Sequence, residues 1–109
     1  MSQVWTVRLA RQAQADLDEI LMWTSRNFGP VQTRTYATTI KLAIKALGEG
    51  PDALGAQARD EVRPGVRILH IARQGRQGRH FLVFRAANGK IIEVLRILHD
   101  RLELARHLL

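Results

Sequence analysis

The chain has 109 residues, with 17 Lys and Arg against 10 Asp and Glu for a formal charge of +7, and 46% of it is hydrophobic. That apolar content excludes a disordered chain, and the richest apolar stretch, residues 91–98, is broken by Glu93 and Arg96 well short of the ~20 residues that a membrane span needs. The expectation is one globular domain over residues 1–109, too small for a deep cofactor cavity, because a chain of this size buries only roughly 60–68% of its unfolded surface.

Residues 4–10 alternate, with Trp5, Val7 and Leu9 on one face and Thr6 and Arg8 on the other, which predicts a half-buried strand. From Arg11 the period lengthens. Ala13, Leu17, Ile20, Leu21, Thr24 and Phe28 recur at three- and four-residue intervals and predict a helix to about Asn27. Asp16, Asp18 and Glu19 fall in its early turns, where they are expected to form a solvated face matched to the helix dipole. Gly29-Pro30 is a stop followed by a start, and the stripe Tyr36, Ile40, Ala43, Ile44, Leu47 predicts a second helix, antiparallel to the first.

Residues 51–65, PDALGAQARDEVRPG, have no period and read as a long surface connection, a functional or docking element in so small a domain. Strands are predicted over 66–72, 81–85 and 90–98, the last two joined by Asn88-Gly89, the strongest hairpin signal. They are apolar on both faces. The sheet should therefore be covered by the helical hairpin on one side and by a partner or the C-terminal segment on the other. Asp100, followed by Glu103, predicts the capped start of a short C-terminal helix. The fold class is α+β in the order β-α-α-β-β-β-α, an N-terminal strand and helical hairpin packed on a mainly antiparallel twisted sheet.

The charge is uneven: residues 1–54 hold six bases and five acids, residues 55–109 eleven and five. A basic face of that kind awaits an acidic partner, either nucleic acid or protein. With no cysteine there is neither a disulfide framework nor a thiolate zinc site, and the start MSQVWTVRLARQ lacks the apolar core of a secretory leader, so a cytoplasmic address is expected. The four histidines show no paired metal-ligand spacing, and there is no glycine-rich phosphate loop. No metal and no cofactor are expected. What remains is a set of bases on or beside the strands, with His99 at a strand end as a group able to donate or accept a proton near neutral pH. Arg96, in an otherwise apolar strand, must find a carboxylate, solvent or a ligand.

The segments GRHFLVFR (78–85) and IEVLRILHDRLELARHL (92–108), with AQADLDEI (13–20) and RPGVR (63–67) upstream, resemble the ParE branch of the RelE/ParE toxins of bacterial toxin–antitoxin modules. The resemblance spans almost the whole chain, and its most specific piece is Arg96 with the Leu98-His99 ending. Phe84 stands where that branch often has Tyr, and Leu102 where Met is frequent. The resemblance implies a toxin that poisons DNA gyrase on cleaved DNA, blocks replication, forms a hetero-oligomer with an acidic ParD-like antitoxin, and carries no established catalytic residue. Candidate target-binding residues are then Arg67, Arg79, His80, Arg85, Arg96, His99 and Arg101. Candidate antitoxin-binding residues are Leu21, Trp23, Tyr36, Ile40 and Phe84. The sister RelE branch cleaves messenger RNA on the ribosome, and for that alternative Arg67, Arg85 and His99 would be the catalytic set. Against it, residues 48–65 contain no Lys, whereas ribonucleolytic relatives tend to be Lys-rich there.

Overall fold

The computed structural model describes residues 4–101. Its elements are β1 (Thr6–Leu9), α1 (Arg11–Ala46), a 3-10 turn (Leu47–Glu49), β2 (Gln57–Ala58), β3 (Arg67–His70), β4 (His80–Ala87) and β5 (Ile91–His99). The predicted C-terminal helix beyond Asp100 lies outside the described residues.

The two expected helices form one run that is broken at Gly29, where φ is 83° and ψ −179°. That backbone region is open essentially to glycine alone, and Pro30 restarts the helix. A straight helix of 36 residues would be ~54 Å long. The longest axis of the molecule is 39 Å, so the run folds back at Gly29 into two arms. Both arms feed one core, Ala13 and Leu17 from the first and Ile40 and Ala43 from the second, against Leu82, Phe84, Ile92, Val94 and Ile97 of the sheet.

The sheet has the order β1-β5-β4-β3-β2. β1 runs parallel to β5 and all other pairs are antiparallel. β1 thus leaves the sheet at Leu9 and crosses over through α1, while the Asn88-Gly89 turn, with Gly89 at φ 82° and Lys90 at φ 56°, joins β4 to β5. The register between these two strands shifts so that Val83 faces Arg96 and Phe84 faces Val94. Leu95 is the extra residue of a bulge, which reverses the alternation. The bulge explains how Ile92, Val94 and Ile97 all reach the helix-facing core although they differ in parity.

Two expectations change. The connection 51–65 is not strand-free, since Gln57 and Ala58 pair with Ile68 and Arg67 as an edge strand. The second face of the sheet also has cover of its own: Val62 of the same connection and Val66, which follows it, pack on Phe81, Val83 and Leu98, with Ile68 and Leu95 beside them. This smaller core accounts for apolar residues on both faces of β4 and β5, and the expected cover by the C-terminal segment lies outside the described residues.

Candidate functional site

The basic residues singled out in the sequence sort into three groups along the strands. At one end of β5, Glu93 faces Arg8 across β1 and Arg85 across β4. It accepts Arg85 Nε at 3.1 Å and Nη2 at 2.9 Å and lies 3.6 Å from Arg8 Nη2. On β3, Arg67 donates from Nε to the Pro51 carbonyl at 2.6 Å and pairs with Asp52 at 3.5 Å, tying the long connection to the sheet.

In the middle, Arg96 is held by Asp16. Its Nε and Nη2 donate to the two carboxylate oxygens at 2.8 and 3.1 Å, and the Ile97 backbone N–H donates to Oδ2 at 2.9 Å. β1 has already ended opposite Val94, so the N–H of Ile97 lacks a strand partner there and Asp16 supplies one. Asp16 is therefore not part of a solvated acidic face, as expected from its place in the helix; it is 6% exposed. This carboxylate hydrogen bond also raises the Arg96 pKa, and the pair ties β5 to the first helical arm.

The third group lies at the far end of the sheet, where three imidazoles surround Asp100. His80 faces His99 across the β4–β5 pair, with ring centroids 5.2 Å apart. Tyr36, from the second helical arm, accepts the Arg79 backbone N–H at 3.0 Å and places its hydroxyl 2.6 Å from His80 Nδ1. The direction of that bond follows the imidazole tautomer, the phenol donating to a bare Nδ1 or accepting from a protonated one. In the other two rings Nδ1 takes a backbone donor: Ala72 N–H donates to His70 Nδ1 at 3.0 Å, and Arg101 N–H donates to His99 Nδ1 at 3.1 Å. His70 Nε2 meets Asp100 Oδ2 at 3.1 Å, and Arg79 Nη2 and His99 Nδ1 lie 3.4 and 3.5 Å from Oδ1.

Burial, and then the neighbouring His99, push His80 down to about 4, so it is neutral at physiological pH. Burial raises the Tyr36 phenol above its ordinary value, and the His70 hydrogen bond holds the Asp100 carboxyl below its own. Asp100 therefore binds a sheet end together, and the helix it is expected to cap lies outside the described residues. Among the described residues, no three His, Asp or Glu side chains are placed to hold a metal ion.

The structure brings together Arg79, His80, His99 and Arg101 of the target-binding candidates. It does not bring together the ribonuclease set. Arg85 pairs with Glu93 at one end of β5 and His99 closes the other, six residues or roughly 20 Å away at ~3.3 Å per residue.

Of the antitoxin-facing candidates, Ile40 and Phe84 are wholly buried and are core residues instead; their apolar character marked the inner face. Leu21 packs on the core edge, and Tyr36 belongs to the imidazole cluster. Only Trp23 is strongly exposed, edge-on to the exposed Phe28 at 5.7 Å. Sequence reasoning missed Leu42 and Leu54, both exposed. The departure of Leu42 from the inward stripe of its arm was the available signal.

Comparisons with known proteins place this architecture. Residues 7–103 match the family described as "ParE toxin of type II toxin-antitoxin system, parDE". Toxin ParE1 of Mycobacterium tuberculosis is 34% identical over 100 residues, covering 92% of this chain and 94% of the relative. Toxin ParE1 of Caulobacter vibrioides is 30% identical over 101 residues, covering 93% and 95%. Among solved structures, a chain of the chromosomal ParDE system of P. aeruginosa superposes with a TM-score of 0.71 at 28% identity, covering 90% of this chain and 98% of that one. Among the described residues no helix is long and apolar enough to cross a membrane. With the family matched over residues 7–103 and relatives at 30% identity or more over nearly its full length, this chain belongs to the ParE toxins of type II toxin–antitoxin systems.

Proposed function

We propose that this toxin arrests growth by acting on DNA gyrase and its cleaved DNA, and that a ParD-like acidic antitoxin neutralises it. The observation that carries the reading is the family match over residues 7–103. The separation of Arg85 from His99 along β5 favours it over the ribonuclease alternative, because a general acid or base and the cation that stabilises a phosphoryl transition state must reach the same few atoms. The cluster around Arg79, His80, His99 and Arg101 is the surface this reading assigns to the target. The test is gyrase cleavage: purified toxin with gyrase, ATP and supercoiled plasmid should accumulate cleaved DNA, and adding the antitoxin should prevent it. Codon-specific cuts in a translating extract, with gyrase unaffected, would favour the ribonuclease instead.

A further inference from the structure

The first arm of α1 ends in an aromatic tip. Trp23 and Phe28, in the last turns before Gly29, are 58% and 63% exposed and meet edge-on with ring centroids 5.7 Å apart. Met22 before them and Val31 just past the bend are exposed as well, and large apolar side chains grouped on the surface of a small protein mark an interaction site. A Cβ at Gly29 would meet nothing within 4 Å, so the bend itself faces open space.

Short hydrogen bonds hold the tip in shape. Asn27 Nδ2 donates to the Trp23 carbonyl at 2.8 Å, Thr33 Oγ1 to the Gly29 carbonyl at 2.8 Å and Thr35 Oγ1 to the Val31 carbonyl at 3.2 Å. The aromatic pair is thus presented on ordered turns, which lowers the ordering cost of binding. The charge around it has one sign, because residues 20–48 contain Arg26, Arg34, Lys41 and Lys45 and no Asp or Glu. Arg26 follows Trp23 by three positions and Arg34 follows Val31 by three, a spacing that makes neighbours on a helix surface. Both arginines are exposed, and among the described residues neither guanidinium is paired with a carboxylate.

We propose that this tip binds DNA at a strand break: bases left without a stacking neighbour pack on Trp23 and Phe28, while Arg26 and Arg34 hold the flanking phosphates. Exposed aromatic rings with cations beside them are the two elements of a stacking platform for single-stranded nucleic acid, and charge complementarity selects a polyanion, since a second copy of this +7 chain would bring like charge to the same surface. The proposal rests on the gyrase reading for the source of the broken strand. It also moves Trp23 from the antitoxin-facing residues to the target-facing ones.

The test uses the full-length toxin without gyrase, a labelled single-stranded DNA oligonucleotide and the same sequence as a duplex. The expected result is tighter binding of the single strand, quenching of tryptophan emission that is lost in Trp23→Ser, and at least ~fivefold weaker binding for Trp23→Ser and for Phe28→Ser, the lower end of what one stacked base supplies. Arg26→Glu should weaken binding and flatten its salt dependence, and Leu42→Ser, exposed on the second arm, should change nothing. The four side chains are exposed, so the substitutions leave the core intact. Equal affinity of the unaltered chain and both aromatic variants, or a preference for the duplex with tryptophan emission unchanged, overturns the tip; gyrase cleavage that persists in Trp23→Ser would then leave the gyrase reading standing without it. Oligonucleotide binding through Trp23 with no trapped gyrase cleavage keeps the tip and overturns the gyrase reading. No binding to either DNA overturns the tip outright, and antitoxin affinity lost in Trp23→Ser would then return that residue to the antitoxin.

Discussion

Asp16 on the first arm of α1 and Arg96 on β5, 80 positions apart in the chain, are joined by two hydrogen bonds of 2.8 and 3.1 Å. The same carboxylate accepts the Ile97 N–H, so one side chain takes up a strand donor beyond the end of the β1–β5 pairing, neutralises a guanidinium and fixes the helix on the sheet. Removing one member of a largely buried pair leaves the other uncompensated, at a cost of about 3 kcal/mol. Asp16→Asn and Arg96→Met should each lower stability by about that amount in urea titrations. The double variant should lose clearly less than the sum of the two. Additive losses would mean that the pair is not coupled.

The imidazole cluster predicts an acid-sensitive fold. His80 has a folded pKa of about 4 against ~6.5 in the unfolded chain. The unfolded state therefore takes up a proton first, and stability falls as pH drops through 6.5 towards 4, while above 6.5 this group contributes no pH dependence. Unfolding measured between pH 4 and 8 should show the decline, and His80→Gln should flatten it. Nuclear magnetic resonance titration should find the His80 ring neutral at pH 6.

Gly29 and Gly50 separate backbone strain from crowding. Both have positive φ, 83° and 108°. A Cβ at Gly29 would meet nothing within 4 Å, whereas one at Gly50 would sit 2.7 Å from Trp5 Nε1. Gly29→Ala should therefore cost only the conformational penalty, about 1–3 kcal/mol. Gly50→Ala should cost more, and truncating Trp5 should remove part of that excess. Equal losses for the two glycine variants would contradict this account.

Much of the fold was legible because its signals are local. The change of period at Arg11, the stop and start at Gly29-Pro30 and the turn at Asn88-Gly89 each act through backbone preferences of a few residues. β2 escaped because two residues, Gln57 and Ala58, both exposed, carry no alternation and form a strand only by lying against β3. The partner of Arg96 escaped for a different reason. Asp16 looks like any acid in an early helical turn until the crossover sets it beside β5. Likewise Ile40 and Phe84 read as binding-face residues because apolar character alone does not distinguish a core from an interface.

The central claim, that this ParE-family toxin acts on gyrase, is tested most directly by incubating purified toxin with DNA gyrase, ATP and supercoiled plasmid and scoring cleaved DNA after protein removal. The account predicts linear and nicked plasmid that rises with toxin concentration and disappears when the antitoxin is added first. Unchanged supercoiling with no cleaved plasmid at a large molar excess of active, growth-arresting toxin would contradict it.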